Sequence, residues 1–441
     1  RVLGIEKPFM YQLVDNVCDI IKEFYPYLLE KKDFVKKLIN KEEEAFLQTL
    51  NTGEKLLQNE LAKAKDGILS GEVIFKLYDT YGYPKEITIE IAEENGLKCD
   101  LEGFEKCMER QRELARSSRD VQESMHNQSK DLLDLDTDFL FTGYTNHVDA
   151  GTVVALFKDG KRVDVIEDEG EVVLDKSCFY AESGGQIADT GILENDENKL
   201  EVVDVKKAPN GQFLHHVKVL EGRVLNGITL NETIDYDRRL KIMANHSSLH
   251  LLQSALREVL GNHVAQAGSY VSDSYARFDF THFEKINYQD LLKIEELVNS
   301  YINAEYPVTT EVLSIEEAKK TDAIALFDEK YEDEVRVVSM GNVSKEFCGG
   351  THVSNTSKLG SFKIVSEESI GSGIRRIECV TKMVAYKDSK KENELLNSIK
   401  DRLDLKNINA IYDKINAILN EQSNLNIQIK RLKEKLLNTE A

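Results

Sequence analysis

The stretch that decides the reading is Asn245-His246-Ser247-Ser248-Leu249-His250-Leu251-Leu252. Two imidazoles four positions apart on a helix share one face, one turn apart, and can serve one metal ion. Farther along comes Cys348-Gly349-Gly350-Thr351-His352, a thiol and a third imidazole around a double glycine. Three nitrogens and one sulfur suit zinc. The chain has nine His and six Cys, and four of them fall in these two short clusters. The bland alternative is a core histidine, because His250 opens the apolar run Leu251, Leu252, Ala255, Leu256 and Val259. No packing argument asks for Cys-x-x-x-His around two glycines, so the metal reading is preferred. The site is not a zincin: Ser247 stands where His-Glu-x-x-His proteases keep their general base, and Leu249 where the inverted motif keeps its Glu.

Working outward, a chain of 441 residues predicts about two to four domains with ample core. No apolar run is long enough for a membrane span, and no signal peptide precedes the first helix. Six cysteines without paired spacing fit a reducing cytoplasm better than a disulfide framework. The chain opens on Arg1 rather than Met, which reads as an internal fragment. The net charge of −21 disfavours a general nucleic-acid binder. The acid excess is concentrated over 131–385, so RNA would be met by local basic stripes on the flanking helical parts.

Residues 1–130 read as helical throughout. Phe9, Leu13, Val14, Val17, Ile20 and Ile21 recur at helical spacing before Tyr25-Pro26. A long charged helix follows over 30–65. Ser70 caps a helix over 71–81, ended by Gly82 and Pro84. Further helices run over 84–94 and 101–121. The last ends in Arg110, Arg112, Arg116 and Arg119, for which a solvated face is the preferred reading.

From Phe139 the hydrophobic period drops to two. Short strands over 153–157, 163–166, 171–174, 200–205 and 213–219 predict a small β-barrel over 131–235. Asp159-Gly160, Asn210-Gly211 and Asn226-Gly227 read as hairpin-type turns. Gly184-Gly185, between Phe179 and Gln186, reads as a bulge or turn, or as a backbone loop against a phosphate or sugar. Residues 236–385 mix helices with an antiparallel sheet, an α+β layer with the metal at its edge. From 386 the chain is helical again. Ile408, Ile411, Ile415, Ile418, Gln422, Leu425, Ile429, Leu432 and Leu436 trace a heptad seam, either a self-folding helical hairpin or one strand of a dimer.

These segments resemble the alanyl-tRNA synthetase family, in its order and over nearly the whole chain. The resemblance rests on Ser70 to Pro84 with its Tyr78-Asp79-Thr80-Tyr81-Gly82, on Phe179 to Gly191, on Asn245 to Leu252, and on Gln266 to Ser269. It extends through Arg277 to His282, Phe347 to His352 and Gly373 to Glu378. It implies an α+β multidomain protein: a helical tRNA-recognition bundle over 1–130, an editing barrel over 131–235, a zinc-bearing editing core over 236–385, and a helical or coiled-coil tail. It further implies one Zn2+ per chain on His246, His250, Cys348 and His352, and a part in catalysis for Gln266. Gly184, Gly185, Thr351, Arg375 and Arg376 would meet the tRNA 3′ end. Asp79 would read the G·U pair of the acceptor stem, whose free amino group offers a donor in the minor groove.

The activity so implied is hydrolysis of mischarged Ser-tRNA(Ala) and Gly-tRNA(Ala). The ATP- and Mg2+-using aminoacylation domain is expected upstream of Arg1 and absent, so the chain is not expected to charge tRNA. Two positions depart from the family pattern: Leu249, where Thr is common, and Gln253, where His is frequent. Two other function classes stay open. One is a non-catalytic tRNA-binding and dimerisation fragment with a structural zinc. The other is a different zinc enzyme such as a thioether lyase, against which the missing Glu in the helix motif weighs. Partners are tRNA(Ala) and, through the tail, a second copy; the location is cytoplasmic.

Overall fold

The computed structural model describes residues 7–64, 67–117, 135, 139–324, 333–371 and 373–437. Five helices open the chain: α1 (Met10–Ile21), α2 (Leu28–Leu61), α3 (Gly71–Asp79), α4 (Lys85–Glu94) and α5 (Leu101–Ser117). No residue next to α1 caps it. Glu43 of α2 does so instead, accepting from the amides of Phe9, Met10 and Tyr11 at 2.9, 2.9 and 3.1 Å. Ser70 accepts from the Val73 amide and starts α3, while Gly96, at φ +75°, follows the end of α4. Leu57, Ile74, Leu77, Tyr83, Ile91 and Phe104 form the core of this part. It is not helical throughout, because Ile68–Leu69 and Lys98–Cys99 pair as a short parallel ladder. Arg119, from the basic patch, lies outside the described residues.

The barrel is built from β1 (Val148–Lys158), β2 (Glu169–Leu174), β3 (Gly191–Glu194), β4 (Lys199–Lys207), β5 (Phe213–Glu221) and β6 (Thr229–Ile234). All neighbours are antiparallel in the order β6-β3-β4-β5-β2-β1, and β6 pairs with β1 to close the ring. Closure removes the exposed edges that an open sheet would present. Alternate residues such as Leu156, Val172, Leu193, Leu200, Val202, Val217 and Leu230 fill the interior. Asp159 and Gly160, at φ 51° and 72°, make a two-residue turn that returns Lys161–Val163 along β1. Asn226-Gly227 is not a hairpin turn. Gly227 donates to the Val153 carbonyl at 2.8 Å, and the segment feeds β6 into the closing pair.

The last unit is organised on α6 (Tyr236–Leu260), which is buried on most sides from Ile242 to Leu256. Asp235 caps its start and Gly261 ends it. Strands β7 (Gln266–Val271) and β8 (Ala276–Thr281) join β12 (Phe362–Gly371) and β13 (Ile374–Thr381) in a sheet of order β7-β8-β13-β12. Helix α7 (Tyr288–Asn303) packs beside α6. A second sheet of β9 (Val308–Ser314), β10 (Glu334–Met340) and β11 (Ser344–Phe347) runs straight into Cys348. Helices α8 (Lys382–Arg402) and α9 (Ile411–Leu437) end the chain. The heptad residues Ile415, Ile418, Leu425, Ile429 and Leu432 are 41–59 % exposed, so among the described residues the seam is not covered by a second helix.

Candidate metal centre

Two sets of bonds aim α6. Arg239, buried in its first turns, forms a bidentate ion pair with Asp189 of the barrel and donates to the carbonyls of Gly143 and Cys178. Asn245 donates to the Ser272 carbonyl at 2.8 Å and accepts from Thr381 at 2.7 Å, which fixes the helix against the sheet. An ion pair this buried is costly to break from one side, so the barrel and α6 keep one relative placement.

The loop after β11 is clamped just as closely. The Cys348 amide donates to the Arg336 carbonyl, and the Arg336 guanidinium returns to the carbonyls of Cys348 and Gly350 at 3.2 and 2.6 Å. That guanidinium lies 4.0 Å from the centre of the Tyr144 ring, whose hydroxyl donates to the Gly349 carbonyl at 2.8 Å. Glycine is required at 350, where a Cβ would come within 2.0 Å of His246 Cε1.

Together these elements bring His246, His250, Cys348 and His352 into one group whose donor atoms lie within 4.8 Å of one another. Cys348 Sγ is 3.4 Å from His246 Nε2 and 3.2 Å from His352 Nε2. Zinc bonds of about 2.0–2.1 Å to nitrogen and 2.3 Å to sulfur put neighbouring ligand atoms roughly 3.3–3.6 Å apart in a tetrahedron. The donor set and its spacing therefore fit a zinc ion.

The remaining nitrogen of each imidazole is also engaged. Gln186 Oε1 lies 2.8 Å from His246 Nδ1, a Glu346 carboxylate oxygen 2.9 Å from His250 Nδ1, and Ser247 Oγ 3.1 Å from His352 Nδ1. Outer partners of this kind orient metal-binding histidines. The charge pattern follows from burial and these neighbours. Burial opposes the thiolate, yet the imidazoles of His246 and His352 hold Cys348 well below the usual thiol range. Burial pushes His352 down to about 3, so it is neutral. Burial also works against charge on His250, but Glu346 and the Cys348 thiolate outweigh it and hold that imidazole up at about 10. A thiolate and a neutral imidazole are the forms a metal takes, while His250 must give up a proton to join them.

The group opens onto a cleft of about 400 Å³ whose walls include Tyr144, Tyr180, Gly184, Lys207, Leu249, Gln253, Gln266 and Arg336. Gln253 is buried and its Oε1 finds no hydrogen-bond partner among the described residues. Gln266 lines the cleft and donates to Ser269 at 3.2 Å. Gly184, at φ +58°, faces open space there, whereas Gly185 packs so tightly that a Cβ would meet the Ser269 carbonyl at 2.3 Å. Thr351 is 3 % exposed and hydrogen-bonded to Gln186, so it belongs to the scaffold of the loop. Arg375 and Arg376 do not line the cleft. They stand on β13, where Arg375 is ion-paired with Glu367 and Arg376 grips Asp279 with two bonds of 2.7 Å. Asp79 is exposed at the end of α3, accepts from Gln111 at 2.5 Å and does not line the cleft. The motif reading missed Gln186, Glu346, Ser247, Arg336 and Tyr144. Gln186 had a local signal, since it closes the double-glycine stretch; the others show themselves only through tertiary contacts.

The model of the tRNA synthetases class II (A) matches residues 1–238. The chain belongs to that family. The threonyl and alanyl tRNA synthetase second additional domain matches residues 335–378, which hold Cys348 and His352, while His246 and His250 fall between the two matches. Three relatives named alanine–tRNA ligase illustrate the likeness. That of Bacillus cytotoxicus is 45 % identical over 446 residues, covering 100 % of this chain and 51 % of the relative. The Geobacillus kaustophilus protein is 45 % identical over 426 residues, covering 95 % and 48 %. The Bacillus velezensis protein is 43 % identical over 446 residues, covering 100 % and 51 %. The chain thus spans about half the length of these relatives.

The family match corrects the reading of the sequence as an editing fragment. Residues 1–238, taken above as a recognition bundle and an editing barrel with the synthetase part missing, are matched by the class II (A) model itself. The chain is therefore not an editing-domain piece, and the statements that its enzymatic role is deacylation and that it lacks the ligase part fall with it. Tyr78-Asp79-Thr80-Tyr81-Gly82 and the Gly184-Gly185 stretch, read above as recognition and editing motifs, both lie inside the span matched by the class II (A) model. In coarser form the fold expectation holds. This is an α+β multidomain member of the class II synthetases with a six-stranded β-barrel, and among the described residues no helix is long and apolar enough to cross a membrane.

Proposed function

We propose that the protein acts as an alanine–tRNA ligase, attaching alanine to tRNA(Ala) with ATP and Mg2+, and that the cleft beside the metal centre receives the aminoacyl end of the tRNA. The observation that carries this is identity of 43–45 % along essentially the whole chain to proteins of that name. ATP and Mg2+, assigned above only to a missing domain, then belong to this protein's own reaction. The centre holds one zinc per chain on His246, His250, Cys348 and His352. Four protein ligands close a tetrahedral shell, so the ion supplies rigidity and a fixed positive charge at the cleft wall. The chain's own groups do the rest. Lys207 brings a cation to the mouth, and the Gln253 and Gln266 amides offer acceptors and donors to hydroxyl or amino groups. Gly184 leaves room for backbone approach, and Asp79 presents an exposed acceptor for the acceptor stem. Six free cysteines fit work in the reducing cytoplasm.

The test is transfer of labelled alanine to tRNA(Ala) by the purified protein. ATP-dependent alanylation is expected, together with weaker tRNA(Ala) binding when Asp79 is changed to Ala. Zinc-loaded, folded protein that charges no tRNA(Ala) would overturn the reading.

A further inference from the structure

We infer that Gln186, a barrel residue outside the ligand set, is a positioning residue that selects the metal-facing nitrogen of His246 and sets the affinity of the centre for zinc. This rests on the metal reading of the four ligands above. Gln186 is completely buried. Its Oε1 lies 2.8 Å from His246 Nδ1 and accepts from the Thr351 amide at 3.0 Å, while its Nε2 donates to Thr351 Oγ1 at 3.0 Å. The Thr351 backbone N–H can only donate, so the amide's orientation is fixed with Oε1 toward it. An oxygen in that place can only accept, and His246 Nδ1 must then carry its hydrogen. The lone pair of His246 is thereby left on Nε2, the nitrogen 3.4 Å from Cys348 Sγ.

One side chain therefore touches a ligand from α6 and the loop that carries the other two ligand residues, Cys348 and His352. It is held still while it does so. Ser183 and Gln186 exchange backbone hydrogen bonds at 3.2 and 3.0 Å, and the Ile187 amide donates to Val271 of β7 at 3.1 Å. Gly185 packs its Cα against Ser269, where no side chain fits. A buried acceptor presented from a pinned turn loses little freedom when the metal binds, which is how an outer partner raises affinity. The double-glycine stretch is on this account a mount for Gln186, and the barrel forms part of the metal centre.

The experiment compares zinc affinity, by competition with a chelator at fixed pH, across the intact protein and its Gln186→Leu, Gln186→Glu and Thr351→Val variants. Each is also loaded with Co2+ for its visible spectrum. Gln186→Leu is expected to weaken zinc by about 10–100-fold and to shift the Co2+ bands. Gln186→Glu keeps an acceptor for both N–H groups and should stay within about threefold of the parent, and Thr351→Val should lie between them. Thermal unfolding of the chelator-treated forms separates this from a general loss of packing. If Gln186→Leu does not fold, Gln186→Asn, whose shorter amide withdraws from His246, takes its place. Unchanged affinity and spectrum in the Leu or Asn variant, or a Glu variant as weak as Leu, would overturn the inference while leaving the metal reading intact. A parent protein that binds no zinc would overturn the metal reading, and this inference with it.

Discussion

Two buried polar clusters built from similar residues lie in this molecule, and only one has the geometry of a site. Inside the barrel, Ser177, His215 and Glu232 are all fully buried. Ser177 Oγ lies 2.8 Å from His215 Nε2 and donates to Glu232 at 2.7 Å, the Cys178 amide donates to the same carboxylate oxygen at 2.9 Å, and His215 Nδ1 meets the Val172 carbonyl at 3.0 Å. A serine, a histidine and an acid suggest a nucleophile on paper. Here the serine touches both partners at once, the histidine's other nitrogen is spent on backbone, and all three side chains are closed off from solvent. In the metal centre the partners face outward and the donor atoms face one another, beside an open cleft. Residue type does not separate the two clusters; the direction of the lone pairs and access to solvent do.

The comparison can be broken most sharply with Cys348→Ala and His250→Ala. Each removes one of four bonds, and zinc retained after dialysis should fall from about one per chain to near zero, whereas Ser177→Ala should keep its zinc. Metal analysis by mass reads both. Next in size, Glu232→Leu leaves the buried Cys178 amide without its acceptor, while Ser177 can still turn its hydroxyl to His215, and should destabilise the barrel by about 1–3 kcal/mol in chemical denaturation, with zinc content unchanged.

Glu232 also titrates in a way the metal ligands do not. Burial pushes its carboxyl up to about 7, against the hydrogen bonds from Ser177 and Cys178. A raised carboxyl stabilises the fold while protonated, and that contribution is lost as pH climbs through about 7. His215, held down at about 4 by burial, has the opposite sign: its contribution is present above the ordinary histidine range and lost as pH falls through about 4. Glu232→Gln removes only the first effect. Its stability relative to the parent should therefore improve by up to about 3 kcal/mol between pH 4.5 and 8, measured as a difference in unfolding free energy.

At the metal centre the proton that His250 must release sets a slope of the same order per pH unit. Zinc affinity should rise roughly tenfold per unit between pH 6 and 9, with proton release on binding detectable by an indicator dye. The smallest effect is expected for Ser247→Ala, which takes the outer partner from His352 and should weaken zinc only a few-fold.

Much of this architecture was legible in the residues. Ser70, Gly96 and Gly261 mark helix ends by chemistry that acts within one turn, and Asp159-Gly160 makes its hairpin for the same reason. The four candidate ligands stood out because His and Cys are scarce in this chain. Distance in sequence hid the rest. Glu43 caps a helix some thirty positions away, as the amides of Phe9, Met10 and Tyr11 record. Arg376 looks like a free cation until strand register sets it opposite Asp279. Ordinary alternation turns Val203 outward beside buried Val202, and a bulge between Val202 and Asp204 then brings Val205 rather than Asp204 back to the interior. Ser247, Glu346 and Gln186 are ordinary residues until a histidine from elsewhere arrives beside them. The family was legible in motifs such as Tyr78-Asp79-Thr80-Tyr81-Gly82 and Phe179 to Gly191, but which part of it the chain represents was not, because both motifs lie inside the span that the class II (A) model matches.

As proposed, one zinc is held by three imidazoles and one thiolate drawn from α6 and the loop after β11. X-ray absorption at the zinc edge tests it most directly on the purified, zinc-loaded protein. Three nitrogen neighbours at about 2.0–2.1 Å and a single sulfur at about 2.3 Å are expected, the sulfur vanishing in Cys348→Ser. A shell without sulfur, or with two sulfurs, would contradict it.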